Sequence, residues 1–218
     1  MYLPAHFEQT DPAALQALMR SHPLATLVSA GADGPCADHI PLVFDANDGP
    51  HGTLLGHVAR ANPLWRAAAG APVLAVFGGA QAYISPSSYP SKAETHKVVP
   101  TWNYAVVHAH GRLEAVDDPV WLRAFVVRLT ERHEAALPQP WAVADAPEEY
   151  VQQMLRAIVG IRIPLQRIVG KWKVSQNRSE ADRGGVADAL LRQGTEDALA
   201  MAALVRGSLV VRSAKPVT

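Results

Sequence analysis

Short apolar runs separated by turn residues most restrict the fold of this 218-residue chain. The runs recur at hairpin spacing, and Gly31-Ala32-Asp33-Gly34 has the composition of a hairpin loop. We predict strands at Leu24–Ser29, Ala37–Phe44, Gly52–Val58, Pro72–Phe77, Gln81–Ile84, Val98–Val116 and Ala157–Val174. A parallel sheet would need a helix between successive strands. The pattern therefore predicts a mainly β (α+β) fold, an antiparallel barrel with flanking helices.

The helix signals are grouped and do not alternate with these strands. A helix is predicted from Asp11-Pro12, and another opens at Asp117-Asp118-Pro119, because acidic residues and proline favour the first helical turn. The segment from Ser179 to Val205 is predicted to be helical with a break at Gly194.

The length of the chain predicts a single domain with a short appendage. We place the domain at residues 1–191 and a C-terminal helical tail at residues 192–218.

Charge balance limits the partners of the chain. Twenty Lys and Arg residues match twenty Asp and Glu residues, which argues against a broad nucleic-acid surface because duplex binding needs a basic excess. Residues 161–218 hold ten basic and five acidic residues. A local anion site in this part is therefore left open, and direct DNA binding has weak support.

Cysteine content and the N-terminal segment indicate the compartment. The single cysteine, Cys36, excludes an intramolecular disulfide and a thiolate metal cluster. The first residues lack the basic start and apolar run of a signal peptide. We therefore expect a cytoplasmic protein without membrane contact and without a metal site.

A donor-rich turn follows the predicted strand Gly52–Val58. His57, Arg60 and Asn62 crowd the entry to a short helix predicted at Ala61–Ala69. A helix N-terminus attracts anions, and the guanidinium fork of arginine suits phosphate. The alternative is a capped strand–helix turn with a surface arginine.

His39 lies in the apolar strand Ala37–Phe44. A histidine in such a strand is either a hydrogen-bonded structural residue or a ligand. With His57 it would contribute to a metal or haem site, but no HExxH motif or carboxylate cluster supports a metal.

Thr101, Trp102, Asn103 and Tyr104 combine aromatic faces with polar groups. This mixture suits a flat heterocycle, and the alternative is an aromatic corner of the core.

Lys171 and Lys173 lie on one side of a predicted strand, with Trp172 on the other. Two ammonium groups on one face suit a phosphate or an electron-rich ring edge. The alternative is an edge strand protected by lysine, although the polar run Ser175-Gln176-Asn177 follows directly.

Five segments carry a family resemblance. They are Met1-Tyr2-Leu3-Pro4-Ala5-His6-Phe7, Gly56-His57-Val58-Ala59-Arg60-Ala61-Asn62-Pro63, Tyr83-Ile84-Ser85-Pro86, Val99-Pro100-Thr101-Trp102-Asn103-Tyr104 and Lys171-Trp172-Lys173-Val174-Ser175-Gln176-Asn177. Together they resemble the PaiB family, whose members are described as FMN-binding negative transcriptional regulators. The resemblance extends from Met1 to about Leu191.

The resemblance implies an FMN-binding split β-barrel similar to the pyridoxamine-phosphate oxidases, and a homodimer with FMN at the subunit interface. His39 stands where the oxidases usually carry an arginine. The resemblance implies that the strand Ala37–Phe44 and the turn His57–Asn62 approach the FMN phosphate. The departure weakens the phosphate role of His39, which remains a candidate cofactor-binding residue, and favours Arg60, with His57 and Asn62, as the phosphate ligands. The residues expected to border the flavin ring or the neighbouring subunit are Thr101, Trp102, Asn103, Lys171, Lys173 and Gln176.

The biological role stays open at this stage. The hypothesis of a transcriptional regulator competes with two others. One is a flavin-dependent oxidoreductase that uses FMN, and the other is a haem-binding protein that uses His39 or His57 as axial ligand. No helix-turn-helix pattern supports direct DNA binding. No catalytic constellation is visible, since Ser85, Ser87 and Ser88 lack a GxSxG elbow.

Overall fold

The computed structural model describes residues 1–31 and 33–213, with side chains up to Ser208. The strands are β1 (Glu8–Gln9), β2 (Leu24–Gly31), β3 (Gly34–Pro41), β4 (Val43–Asp45), β5 (Thr53–Ala59), β6 (Pro72–Ile84), β7 (Thr101–Arg112), β8 (Glu114–Val116) and β9 (Ile158–Lys173). The helices are α1 (Pro12–Ser21), α2 (Leu64–Ala67), α3 (Lys92–Thr95), α4 (Pro119–Glu134), α5 (Glu148–Arg156), α6 (Glu180–Gln193) and α7 (Glu196–Ser213).

The strands form a mainly antiparallel sheet in the order β3-β2-β6-β7-β9-β5-β4, and β1 and β8 also pair with β9. β2 and β3 form the predicted hairpin, with Gly31 paired to Gly34. β5 is antiparallel to β9 from Thr53–Pro164 to Ala59–Ile158. This topology confirms the predicted antiparallel fold with flanking helices.

β6 corrects the prediction of two separate strands at Pro72–Phe77 and Gln81–Ile84, because it runs unbroken through Gly78-Gly79. Its buried side chains occupy odd-numbered positions up to Phe77 and even-numbered positions from Ala80. The alternation therefore shifts by one residue at the glycine pair. Two residues without side chains permit this shift without placing a large group on the wrong face.

The predicted strand Val98–Val116 is divided in the structure at Leu113. The Leu113 backbone leaves the ladder to bond with the turn before β6: its N–H donates to Ala71 at 3.1 Å, and its carbonyl accepts from Gly70 at 2.7 Å. The Leu113 side chain is fully buried. These bonds end β7 and begin β8.

The chain forms two compact units, each built from separate stretches of sequence. Unit 1 comprises Met1–Leu18, Gly78–Val107 and the described residues from Val169 onward, and unit 2 comprises Met19–Phe77 and His108–Ile168. The core of unit 1 joins the end of β6 to α6 and α7. One core cluster of unit 2 lies between α4 and α5, around Leu122 and Leu155.

The C-terminal helices follow the predicted pattern. The Ser179 hydroxyl caps α6 by accepting from the Asp182 N–H at 3.2 Å, and Gly194 ends α6 with a φ of 70°. The predicted break at Gly194 is therefore confirmed. The proposed boundary between residues 1–191 and the tail stays a prediction, and residues 214–218 lie outside the described part.

Among the described helices, none is long and apolar enough to cross a membrane.

Gly111 in β7 is expected to be essential for packing. A Cβ at this position would lie 2.5 Å from the Pro164 carbonyl oxygen and 2.7 Å from Ile163 Cγ2. We predict that Gly111→Ala lowers the free energy of unfolding by about 1–3 kcal/mol through overpacking. Urea denaturation measures the change. The matched control is Gly78→Ala, where a Cβ meets nothing within 4 Å; equal effects in both variants would contradict the overpacking argument.

Candidate functional site

Two exposed aromatic rings lie where β6 ends and β7 begins, in unit 1. Tyr83 is 54% exposed and Trp102 is 49% exposed. Their ring centroids are 6.1 Å apart with planes inclined by 60°, and the Trp102 indole N–H donates to the Gln81 side-chain oxygen at 3.1 Å. We call Gln81, Tyr83 and Trp102 the aromatic face. It offers stacking surface that the described residues do not cover.

Lys173 is hydrogen-bonded to Thr101, the residue that precedes Trp102. Its ammonium group donates a hydrogen bond to the Thr101 hydroxyl, and both side chains are half-buried. Among the described residues, no carboxylate forms an ion pair with Lys173. The structure therefore brings Lys173 to Thr101, which lies 72 positions earlier in the sequence and directly precedes Trp102.

Lys171 is a buried lysine, 7% exposed, that fastens the N-terminal segment to β9. Its ammonium donates to the Tyr2 carbonyl at 3.0 Å and lies 5.6 Å and 5.4 Å from the ring centroids of Tyr2 and Tyr104. Cation–π attraction compensates in part for the missing carboxylate. The contacts give Lys171 a structural role, and its expected contact with flavin stays a prediction.

A tight turn follows Lys173. Ser175 adopts a left-handed φ of 65°, which is costly for a residue with a Cβ. Gln176 holds the turn closed: its side-chain oxygen accepts from the Val174 N–H at 2.7 Å, and its amide donates to the Trp172 carbonyl. The Gln176 amide is thus engaged inside the turn.

Asn103 connects β7 to this turn from a completely buried position. Its Nδ2 donates to the Ser175 hydroxyl at 2.9 Å, while its Oδ1 has no partner among the described residues. Buried polar atoms without partners are uncommon. We assign Asn103 a positioning role, since it sets the turn directly after Lys173.

Arg60 in unit 2 is fully engaged with groups of the chain itself. Its guanidinium makes a bidentate pair with Asp117 at 2.8 Å and 2.6 Å, and it donates to the carbonyls of Arg156 and Ile158 at 2.7 Å and 3.0 Å. The hydrogen bond from Arg60 lowers the pKa of Asp117. A phosphate at Arg60 would have to replace Asp117, so the phosphate role stays a prediction.

The neighbours of Arg60 are engaged as well. Asn62 accepts from the Leu64 N–H at 2.8 Å in the turn before α2 and donates to Asp38 at 2.8 Å. The helix itself, Leu64–Ala67, is shorter than the predicted Ala61–Ala69. His57 is half-buried 6.1 Å from the Phe125 ring, and burial lowers the pKa of His57. This arrangement matches the capped-turn alternative, with a neutral imidazole against an aromatic ring.

His39 is exposed on β3 and pairs with Thr26 across the hairpin. The predicted residues thus fall into two groups, one in each unit. Unit 2 holds His39, His57, Arg60 and Asn62; unit 1 holds Thr101, Trp102, Asn103, Lys171, Lys173 and Gln176.

Sequence reasoning missed several partners. Tyr83 lies in the segment Tyr83-Ile84-Ser85-Pro86 that carries the family resemblance. Its position two residues after Gln81 on a strand is the local signal that the two side chains lie on the same face of the sheet. The local sequence around Asp117 and Ser175 does not indicate their partners, because Asp117 meets Arg60 across 57 residues and Ser175 meets Asn103 across 72 residues.

Comparison with known proteins gives consistent results. A family model described as "Putative FMN-binding domain" matches residues 1–167. A protein of Aspergillus fumigatus is 32% identical over 94% of this chain and 97% of its own length. "Protease synthase and sporulation protein PAI 2" of Bacillus subtilis is 31% identical over 96% of this chain and 98% of its own.

Among solved structures, the FAD and haem binding protein of Mycobacterium smegmatis is similar with a TM-score of 0.56. The match covers 76% of this chain and 73% of that one at 19% identity, so it bears on the fold alone. The predicted fold class, a split β-barrel with flanking helices, is confirmed.

The Arg60–Asp117 pair predicts a specific dependence of stability on pH. Because Arg60 holds the pKa of Asp117 below its ordinary value of 3.8, the pair stabilises the fold above that value and loses this contribution as the pH falls through the folded-state pKa. We predict that Asp117→Asn lowers the melting temperature at neutral pH and flattens its decline below about pH 4. Melting curves by circular dichroism measure both effects.

The double variant Arg60→Ala/Asp117→Asn provides the control for this prediction. Its melting temperature should be lower than that of Asp117→Asn, because Arg60→Ala also removes the hydrogen bonds to the Arg156 and Ile158 carbonyls. The dependence of the melting temperature on acidic pH should run parallel in the two variants, since both lack the Asp117 carboxylate. An acid limb as steep in Asp117→Asn as in the unmodified chain would contradict the prediction.

Proposed function

Because this chain belongs to the PaiB family of FMN-binding-domain proteins, we propose that it binds FMN at the aromatic face of unit 1. The family match makes it a flavin-binding split-barrel protein. The observation that carries the proposed site is the exposed Tyr83–Trp102 pair, with Lys173 hydrogen-bonded to Thr101, the residue before Trp102.

The chemistry of this face fits a flavin ring. The isoalloxazine ring is flat and aromatic, and indole and phenol rings stack favourably on such surfaces. Lys173 uses one N–H toward Thr101, and an ammonium group has three. Its remaining donors suit the electron-rich carbonyl edge of the ring. Trp102 and Tyr83 would hold the ring face, and Lys173 would orient its edge.

Bound FMN supplies one- and two-electron redox chemistry. The residues of this chain bind and orient the ring, and the Asn103–Ser175 bond keeps Lys173 in register with Thr101.

We also propose that a second copy of the chain covers the aromatic face, as a homodimer with the flavin at the interface. Two large rings at about half exposure support this, because apolar surface gains free energy when covered. Light scattering after gel filtration measures the mass: a dimer supports the proposal, and a monomer at micromolar concentration contradicts it.

A separate experiment tests the prediction that Arg60 binds the FMN phosphate. If Arg60 holds the FMN phosphate, Asp117 competes with it for the same guanidinium fork. Asp117→Asn should then strengthen the binding of FMN, and Arg60→Ala should weaken it about tenfold or more, while riboflavin is unaffected by either. Parallel changes for FMN and riboflavin would assign Arg60 a purely structural role.

For the biological role, we propose a flavin-dependent regulator that acts through a partner rather than through its own DNA-binding surface. The relative from Bacillus subtilis carries sporulation in its name, and the charge of this chain is balanced. Mobility shift with promoter DNA at low salt tests this: a salt-sensitive shift would instead show direct DNA binding. Rapid reduction of the bound flavin by NAD(P)H with turnover would instead favour an oxidoreductase.

The ultraviolet–visible spectrum of the purified protein decides between the cofactors. Two flavin bands that stay with the protein through gel filtration support a bound flavin over haem. A Soret band would favour haem and direct attention to His39 and His57.

Removal of the ring contact tests the site itself. We predict that Trp102→Ala and Lys173→Met each weaken FMN binding about tenfold, because the first removes stacking and the second a charge-assisted hydrogen bond. Riboflavin should weaken in parallel, since both contacts are to the ring. Titration of flavin fluorescence measures the affinities.

Val99→Ala is the matched control, since Val99 is exposed three residues before Trp102. It should bind FMN as the unmodified chain does. Unchanged affinity in Trp102→Ala and Lys173→Met would place the flavin elsewhere.

A further inference from the structure

A basic cleft lies in unit 1 between helix α6 and the segment that joins β6 to β7. Its volume is about 510 Å³. The side chains that matter here are Ser87, Tyr89, Lys92, His96, Asp188 and Arg192, all of which line it. We propose that this cleft binds the phosphoryl group of a ligand other than the flavin.

The two walls of the cleft are held firmly together. Ser91 donates to the buried carboxylate of Asp182 twice, from its N–H at 3.0 Å and from its hydroxyl at 2.9 Å. Gly185 on α6 lies so close to the segment that a Cβ there would sit 2.3 Å from the Ser88 carbonyl oxygen. The cleft is therefore a packed feature of the fold with fixed walls.

Positive charge exceeds negative charge in the lining. Lys92 comes from one wall and Arg192 from the other, against the single carboxylate of Asp188. Asp188 is itself paired with Arg206 at 3.2 Å. Arg192 alone could be explained by the last turn of α6, where cations are favoured. Lys92 lies on the opposite wall, so the excess charge does not arise from the helix end alone.

Tyr89 connects the lining of the cleft to the core of unit 1. It lines the cleft and is 2% exposed, and its ring belongs to the buried cluster of unit 1. The Arg178 guanidinium lies 4.9 Å from the ring centroid. Burial raises the pKa of Tyr89, and the charge of Arg178 and a hydrogen bond from it offset this rise in part. The phenol is therefore neutral and adds no negative charge to the lining.

The donor set matches a phosphoryl group. Ammonium, guanidinium, imidazole and hydroxyl groups all donate hydrogen bonds, and Lys92 already holds the Ser87 hydroxyl at 3.2 Å. A phosphoryl group carries several strong acceptor oxygens that can receive donors from two walls at once. The assignment does not depend on where the flavin binds.

Calorimetric titration with inorganic pyrophosphate at low ionic strength tests the site. The unmodified chain should bind the probe, and Lys92→Ala/Arg192→Ala should bind it at least about tenfold more weakly. The control Lys97→Ala/Arg156→Ala removes the same charge at exposed positions outside the lining and should bind within about twofold of the unmodified chain.

Two results would overturn the proposal: absence of binding by the unmodified chain, or equal losses in the two double variants, which would indicate general charge attraction. Titration of the FMN-loaded protein should give the same pyrophosphate affinity as the flavin-free protein. Competition by FMN would contradict a separate site, and failure of the flavin site would leave this result unaffected.

Discussion

The pairing of β9 is the constraint on which the rest of the structure depends. This strand bonds with β5 and β8 through Ile158–Pro164 and with β1 through Gly170 and Lys171. It therefore contributes to both units, and its last residues include Lys171 and Lys173, directly before the turn at Ser175. A shift of one residue in the pairing of β9 would turn each of its side chains to the opposite face of the sheet. The positions of Lys171 and Lys173 therefore depend on the register along the whole strand.

The candidate site residues differ in how far their charged groups are already bonded to other groups of the chain. Arg60 is satisfied by Asp117 and two carbonyls, and such a residue stabilises a turn whether or not a ligand is present. Within the described part of the chain, Lys173 bonds to a single hydroxyl, that of Thr101, the residue before the exposed Trp102. Binding energy is available where a donor or an aromatic face is unused, which is why the aromatic face ranks above the Arg60 turn.

Local signals predicted much of the fold and part of the site. The β2–β3 hairpin, the start of α4 at Asp118 and the break at Gly194 all follow from turn and cap chemistry within a few residues. The sequence predicts the segments around Trp102 and Lys173 separately as candidate binding residues. Their meeting through Thr101 was not derivable, because no local pattern encodes which strands become neighbours.

The sequence by itself determined the strand and helix periodicity, the family, and the residue types available for chemistry. Only the tertiary structure decided that Asp117 pairs with the Arg60 guanidinium, that the burial of β6 shifts at Gly78-Gly79, and that the buried Asn103 amide donates to the Ser175 hydroxyl. The physical reason is the range of the interactions. Caps and turns are satisfied within one or two turns of chain, whereas the partner of a buried polar group depends on which distant segments pack against it.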